Sequence, residues 1–490
     1  MKRIVLLSCL VNLAACSIGP EYVRPEFVAP KEWKSALTDS SVLWQVATPQ
    51  AGHPKEKWWE MYQSQSLNAL EEQCLERNQN LAIALTRIDQ ANAGLQTRAA
   101  AQLPVVQLGA LANDTKISAN RPLGSYSVPN QTTTQYDFKP FVQVTYEFDW
   151  LGKIRRDVEA AKAGVEQSTD DFENVKLVLT AQLAQLYFAI LQSDEELAIL
   201  ERVSVLQSQS LQILKARHES GLAIATDLDL QNSALQVTRS QIAILKGTRR
   251  MQENALATLV GVPAAGFQFI GGAMPTQFPR LPKVLPSELL ERRPDIASAE
   301  RAMFAANSLI GVAKAAYYPS LVLAPTYVGY EATAVDALFN VPALIWSLGL
   351  QATQTIFDGG RLQGGVSFAK ASYQAAVASY RQTILSAFEE TQNALGNIEQ
   401  LQLAIAAQEQ ALASQNRGLK ISEQRYGAGL DNIILKLSAE QTQLSIARTL
   451  AQYRGQQFIN SVGLVKALGG GWQNIKSNCM PTADCPKGQK

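Results

Sequence analysis

Two periodicities share this chain of 490 residues. From Val142 to Phe148 the even positions Val142, Val144, Tyr146 and Phe148 are apolar, whereas Gln143, Thr145 and Glu147 are polar. Alternation of period two predicts a strand near 141–149 with one oily and one wet face. The segment 347–357 alternates the same way, setting Leu348, Leu350 and Ile356 against Ser347, Gly349, Gln351, Thr353 and Thr355. Partner strands are expected near 105–112 and 320–328, and the polar stretch 113–140 reads as a loop. The remaining pattern is helical. Leu183, Leu186, Ile190, Leu197 and Leu200 follow a coiled-coil-like spacing, and alanines such as Ala404, Ala407 and Ala411 permit close helix approach. Helices are predicted over 67–103, 153–217, 226–260, 285–316, 361–425 and 433–467. A helix of ~65 residues reaches on the order of 100 Å, far beyond a globular core helix.

The pattern occurs twice. Ala91-Asn92 recurs as Ala306-Asn307 and Pro104 as Pro319; Phe148-Asp149 recurs as Phe357-Asp358, and Arg217 to Leu222 as Arg425 to Leu430. Each half is a helix, two strands, a very long helix, a glycine turn and a returning helix. The organisation expected is a leader over 1–15, an N-terminal segment over 16–65, a first repeat over 66–265, a linker over 266–284, a second repeat over 285–467 and a tail over 468–490.

Four strands per chain cannot close a membrane barrel, whose smallest forms have eight strands. If the oily faces meet lipid, several copies must share one barrel, and cyclic symmetry closes such a ring. A soluble or adhesive coiled-coil protein accounts for the helices but leaves the strand pairs without a purpose.

Composition narrows the chemistry. The formal charge is +1, and loss of Lys2 and Arg3 with the leader turns 44 basic against 43 acidic residues into 42 against 43, or −1. No basic field invites nucleic acid. The only histidines are His53 and His218. Neither HExxH, CxxC nor a phosphate-binding GxxxxGK[ST] occurs, and no nucleophile–base set emerges, so an enzyme is not expected. No catalytic, metal or cofactor residue is assigned. The apolar run Ile4 to Ala15 behind Lys2-Arg3 has signal-peptide length and ends Leu13-Ala14-Ala15-Cys16. This looks like a lipobox, which would place S-diacylglycerol and an N-acyl chain on Cys16; the alternative is a plain signal with an incidental cysteine. Two or more acyl chains make a stable anchor where one is marginal. Past the leader, no run of 18 uninterrupted apolar residues remains, so no transmembrane helix is expected. Cys74 is single, and Cys479 and Cys485 lie six apart, compatible with a local disulfide.

These features come together in one resemblance. Cys16 followed by Pro20-Glu21-Tyr22-x-Arg24-Pro25, then Trp58-Trp59, Tyr146-Glu147-x-Asp149-x-x-Gly152, Leu285-Pro286-Ser287 through Arg292-Arg293-Pro294-Asp295-Ile296, and Lys466-Ala467-Leu468-Gly469-Gly470-Gly471-Trp472 resemble the TolC-like outer-membrane factors, in their lipoprotein (NodT-type) branch. The resemblance spans nearly the whole mature chain. It implies a mainly α fold with a membrane β-barrel: a homotrimer with a 12-stranded β-barrel, a 12-helix periplasmic α-barrel and an equatorial belt taking the terminal segments. The implied partners are a periplasmic adaptor protein and an inner-membrane proton-driven pump, and the implied location is the outer membrane. Cargo would be drugs or other small toxic compounds, with metal ions or secreted proteins as the alternative.

By the same resemblance Thr226, Asp227 and Tyr426 belong to a gate at the periplasmic tip, with a hydrogen bond expected between Asp227 and Tyr426. Ile434 and Ser438 fall where relatives carry a constriction; Ser438 replaces an acid there, so no ion preference is implied. Arg217, Gly221, Arg425 and Gly429 occupy the expected adaptor contact.

Overall fold

The computed structural model describes residues 18–27, 30, 33, 44–46, 57–120, 132–275, 277–279, 281–283 and 292–470. The leader, Cys16, His53, Cys479, Cys485 and the Leu285–Glu291 part of the motif that runs to Ile296 lie outside them. The chain divides into two compact units, and in the second β1 (Trp44–Val46) pairs parallel with β5 (Leu281–Lys283).

The first unit takes Thr86–Thr169, Ser298–Arg381 and the N-terminal residues to Glu26. Strand β2 (Val105–Ile117) pairs antiparallel with β3 (Thr133–Thr145) along their full lengths, from Val105 opposite Thr145 to Ile117 opposite Thr133. Strand β3 pairs with β7 (Thr326–Tyr330), and β7 with β8 (Leu344–Ser347). Beside this sheet, β4 (Glu147–Phe148), β6 (Ser320–Leu323) and β9 (Leu350–Thr353) form a second one in the order β4-β6-β9. The two continue each other: β3 runs into β4 past Tyr146, β6 into β7 past Ala324-Pro325, and β8 into β9 past Leu348-Gly349. The amides of Leu323 and Ala324 donate to the carbonyls of Tyr146 and Gly349, each at 2.9 Å, and bridge the joints. Proline has no N–H to give the ladder, so the pairing resets at Pro325. Four staves result, the number of strands expected from the sequence.

Their ends differ from expectation. Residues 113–117 and 133–140 are strand, not loop, because the Thr-, Gln- and Asn-rich sequence pairs with itself residue for residue. The strand expected at 347–357 begins earlier, at Leu344, and ends at Thr353.

Residues 18–26 lie along this unit. Tyr22 donates to Glu300 at 3.3 Å, Arg24 donates to the Tyr380 hydroxyl at 3.0 Å, and Asn307 donates to the Pro20 carbonyl at 3.1 Å. A Cβ on Gly311 would stand 2.6 Å from the Ile18 carbonyl, so only glycine lets the segment approach there. The Glu-Tyr-x-Arg-Pro motif is thus a clamp for the N-terminal strap.

The second unit takes Phe27–Leu85, Asp170–Ala297 and the chain from Gln382. The helix expected over 67–103 is two, α1 (Gln65–Arg77) and α2 (Gln79–Ala100). Asn78 breaks them with extended φ/ψ and caps α2, its Oδ1 accepting from the amides of Asn80 and Leu81 at 2.9 and 3.3 Å. The very long helices are α3 (Lys153–Glu219) and α6 (Arg361–Gly427), and the returning helices are α4 (Ala225–Val260) and α7 (Ile433–Ala467). In the second half α5 (Pro294–Ala315) opens with proline at its first position. Asp149 and Asp358 head the long helices: each carboxylate accepts two backbone amides, at 3.0 and 2.8 Å in both cases.

The duplication is visible in contacts as well as in sequence. Asn78 Nδ2 donates to the Leu259 carbonyl at 2.8 Å, and its counterpart Arg293 donates to the Ala467 carbonyl at 2.8 Å. Gly261 and Gly469, at φ +79° and +86°, end the returning helices; a Cβ there would lie 2.6 and 3.0 Å from the carbonyls of Arg77 and Arg292.

The core gathers Trp58, Trp59, Tyr62, Leu183, Tyr187, Phe188, Ile190, Leu256, Val260, Phe458 and Val462. Phe188 meets Tyr62 edge-on at 4.8 Å and stacks on Phe458 at 5.0 Å. Leu183 and Ile190 of the predicted seam are buried here, and Leu197 and Leu200 are buried further along α3. One window of α3 is apolar and long enough to cross a membrane by composition, yet 56% of it is buried within the fold. Its apolarity serves this core.

Candidate functional site

Two places carry features that folding alone does not demand. The first is the four-stranded sheet. Its register sets Leu108 opposite Val142, Val142 opposite Val328, and Val328 opposite Trp346. These side chains form one row across four strands on one face, 84, 38, 51 and 72% exposed. Val106 and Val144 continue the band. A water-soluble surface seldom leaves such a row bare, and hydrocarbon is the medium that suits it.

The other face of the same strands aligns Gln107, Gln143, Tyr327 and Ser347. Lys139 on this face lies 5.0 Å from the Tyr327 ring and 3.2 Å from Glu331. Phe141 lies across Gly109 and Gly329; a Cβ on Gly109 would meet its ring at 2.6 Å. Tyr327 and Phe141 make this face a mixture of polar groups and flat rings.

The second place is the pair of helix hairpins. Helix α3 ends on Gly221 and α6 on Gly429, at φ +74° and +73°, the left-handed region that glycine adopts at least cost. The turns close alike. Leu222 donates to the Arg217 carbonyl at 2.7 Å, and Leu430 to the Arg425 carbonyl at 2.9 Å. Leu222, Ile224 and Leu430 stand exposed at these turns.

The side chains differ between the tips. Arg425 grips Asp431 with two bonds of 2.7 and 2.9 Å, and this hydrogen bonding holds the Asp431 carboxyl below its usual range. The first tip has Ala223 where the second has Asp431. There a ring nitrogen of His218 bonds the Ala223 carbonyl at 2.8 Å, and Arg217 has no ion pair among the described residues. Thr226 and Asp227 are exposed in the first turn of α4, and Tyr426 is exposed at the end of α6.

The expected hydrogen bond between Asp227 and Tyr426 is not formed within this chain, because each hairpin closes on its own residues. Ile434 is half-buried with its amide held by Asn432 at 3.2 Å, and Ser438 is exposed. Between them Leu437 packs on Leu206 of α3.

Sequence reasoning missed the side-chain ties within and between the hairpins. The carboxylate of Glu196, nearly buried on α3, accepts from Gln192, Arg448 and Gln452 at 3.0, 3.2 and 2.7 Å. Arg249 of α4 grips Asp194 at 2.7 Å and Glu253 at 2.7 Å. The repeat gives no signal for the Glu196 tie, since the counterparts of Glu196 and Arg448 are Ala404 and Ser240.

Glu71 was also missed. It is fully buried on α1, with no hydrogen-bond partner for either oxygen, and burial pushes its pKa well above the usual carboxylate value. It leans on Cys74, whose thiol burial pushes up to about 12. No cluster of metal-ligating side chains occurs among the described residues.

Comparison with known proteins agrees with the sheet and the hairpins. The family model "Outer membrane efflux protein" matches residues 70–262 and 285–470. The boundary between the two matched segments falls where the repeat does. The pyoverdine export outer membrane protein OpmQ of Pseudomonas aeruginosa is 28% identical over 97% of this chain and 98% of its own. The cation efflux system protein CusC of Escherichia coli is 27% identical over 94% of this chain and 97% of its own. The solved outer-membrane channel OprN superposes with a TM-score of 0.83 at 26% identity, covering 94% of this chain and all of that one. The resemblance to outer-membrane factors is thereby confirmed: the chain belongs to the outer membrane efflux protein family.

Proposed function

We propose that this chain is the passive exit duct of a tripartite efflux system in the outer membrane. Three copies each contribute four staves to one barrel of 12 strands, and α3, α4, α6 and α7 of each contribute to a periplasmic tube. One observation carries this reading: the row Leu108, Val142, Val328 and Trp346 is oily across four strands only, too few to close alone. A lipid anchor on Cys16 holds the N-terminal strap to the membrane, consistent with the clamp at Tyr22 and Arg24. A periplasmic adaptor docks at Arg217, Gly221, Arg425 and Gly429, and a proton-driven inner-membrane pump supplies the work.

Thr226, Asp227, Tyr426, Ile434 and Ser438 form the gate. The Asp227–Tyr426 bond, absent within one chain, belongs to the closed assembly. A hydrogen bond to a charged group is worth about 1.5–3 kcal/mol, so its loss in each copy shifts the gate toward open. In planar bilayers the full-length protein should conduct poorly, and Tyr426→Phe should raise conductance several-fold with the multimer intact. Absence of any conductance from either protein would remove the duct reading; equal conductance would remove the role of Tyr426.

Drugs and other small toxic compounds are the cargo proposed. Relatives named for pyoverdine export and for cation efflux match this chain almost equally, 28 and 27%. Such even likeness fits a duct whose cargo is chosen by its pump. Deleting the gene and scoring sensitivity to drugs, copper and silver distinguishes the cargo classes.

A further inference from the structure

The connection from β7 to β8, residues 331–343, closes the sheet at the end away from the helices. At that end β2 turns polar, through Asn113, Asp114, Thr115 and Lys116, as a strand end standing in water does. The connection does not. From Ala332 to Trp346 the sequence holds a single charge, Asp336. Val335, Phe339 and Val341 stand out of the loop, 61, 75 and 87% exposed. A loop in water is ordinarily polar, and so apolar a tip marks a site of contact.

The loop is built, not slack. Turns of 3-10 helix occupy Val335–Ala337 and Val341–Ala343. The amide of Ala337 donates to the Ala334 carbonyl at 3.2 Å, and that of Ala343 to the Asn340 carbonyl at 2.9 Å. The Glu331 amide donates to the Ala343 carbonyl at 2.9 Å and closes the loop on itself. Asn340 Nδ2 reaches the Ala337 carbonyl at 3.4 Å. Leu338 and Ala343 are buried and pin the loop from within, which leaves Phe339 and Val341 facing outward.

Two contacts say which side of the sheet this apolar tip serves. Tyr330 and Leu344 are paired, two residues along from Val328 and Trp346, and so lie on the same oily face. The Phe339 ring meets Tyr330 edge-on at 5.3 Å. Phe339 therefore extends the oily face past its last pair of strand residues. Phe138, on the face of Val142, exchanges backbone hydrogen bonds of 2.9 and 3.1 Å with Ala332, and its ring stacks on Tyr136 at 6.5 Å. Tyr136, Phe138, Tyr330 and Phe339 thus gather at one end of the oily face, and aromatic rings collect at a lipid–water boundary. Glu331 is on the other face, tied to Lys139 at 3.2 Å, so its charge points away from the oily side. Irregular backbone does not lie within hydrocarbon, because no water reaches its amides there. The loop backbone accordingly rests at the boundary, with its side chains reaching in.

We infer that residues 331–343 form a lip that dips Val335, Phe339 and Val341 into the acyl chains of the outer leaflet and seats the outer rim of the barrel against lipid. Acyl chains are the occupant because the tip continues the row that ends in Trp346, through Tyr330 and Phe339, without a charge between them. The inference rests on the membrane barrel and adds which loop grips the bilayer, and by which side chains.

The test is photo-cross-linking of the full-length protein in the outer membrane of a Gram-negative host, with benzoylphenylalanine placed in turn at Phe339, Val341, Leu344 and Gln143. Lipopolysaccharide, the outer-leaflet lipid, is the probe, read as a protein band that binds antibody to it after irradiation. The labels at Phe339 and Val341 should give this adduct, as should Leu344 on the oily face, whereas Gln143 on the wet face should give none. Should the label at Phe339 prevent assembly, Val341, the more exposed of the two, carries the test. A dimer of the chain as the product at Phe339 and Val341 would show the loop packed on a neighbouring copy and overturn the lipid occupant. An adduct at Leu344 with none at Phe339 or Val341 would leave the loop in water and overturn the lip while the barrel stands. No lipid adduct at any position, Leu344 included, would overturn the membrane reading of the sheet together with the lip.

Discussion

The joint at Asn78 and the joint at Arg293 occupy the same place in the two halves of the chain and are held by different chemistry. Both start a helix, and both reach across to a carbonyl at the end of the returning helix, Leu259 in one half and Ala467 in the other. Asn78 does this as a neutral cap. Arg293 does it as a buried cation braced by Asp295 at 2.7 Å and Glu390 at 2.9 Å. The tips diverge in the same direction: the second half neutralises Arg425 with Asp431, and the first leaves Arg217 without such a partner. Duplication has kept the backbone junctions and released the side chains, and at this joint and this tip it is the second half that uses ion pairs.

Five substitutions break or sharpen that contrast. The largest effect is expected from Arg293→Ala, which strands Glu390, Asp295 and the Ala467 carbonyl together. Removing one partner of a buried ion pair costs about 3 kcal/mol. Asn78→Ala should cost about 2 kcal/mol, the sum of a lost cap and a lost bond. Denaturant midpoints of the two variants measure the gap; equal losses would mean that the ion pairs of Arg293 add nothing beyond the shared carbonyl contact.

Glu71 comes next, and it has no counterpart, since the second half carries Pro286 at that place. Its folded pKa is raised. The unfolded carboxyl ionises near pH ~4.3. Below that pH the group is neutral in both states and its burial carries no charge penalty. As the pH rises toward the folded pKa, the stability held by the proton is progressively lost. Glu71→Leu should therefore stabilise the fold at neutral pH by about 1–3 kcal/mol and flatten the pH dependence of unfolding above ~4.3. A variant less stable than the parent at neutral pH would show that the carboxyl is bonded after all.

The smallest effect sharpens the likeness. Asp149→Ala and Asp358→Ala each remove a carboxylate accepting two helix amides and should each cost about 1 kcal/mol. Hydrogen exchange at the first turns of α3 and α6 should rise to the same extent in the two variants. Unequal responses would mean that one long helix is held at its start by something other than its cap.

Much of this was legible beforehand because periodicity and glycine carry strong physical signals. The span 433–467 of α7 and the turns at Gly221 and Gly429 stand where the sequence sets them, since a left-handed turn suits few other residues. The face alternation of Val142 and Val144 was legible for the same reason. The break at Asn78 was not: its cause is a cap supported by the distant Leu259 carbonyl. Residues 133–140 read as loop in sequence because their polarity hides a ladder that exists only through its partner strand. The Glu196 and Arg249 ties join residues far apart in sequence that the repeat does not mirror. The Asp227–Tyr426 bond, carried over by resemblance, is not a property of one chain.

Helices α3 and α6 contain 67 residues each. Their side chains have drifted apart, yet neither has gained or lost a residue against the other. Each added residue would turn everything beyond it by about 100° and advance it by about 1.5 Å. A single-residue indel in either rod would rotate its far end away from Glu196 or Gln415 and spoil every contact past the insertion. Substitution is therefore open to these rods while length is not, and lengthening them demands whole heptads inserted into all four hairpin helices at once.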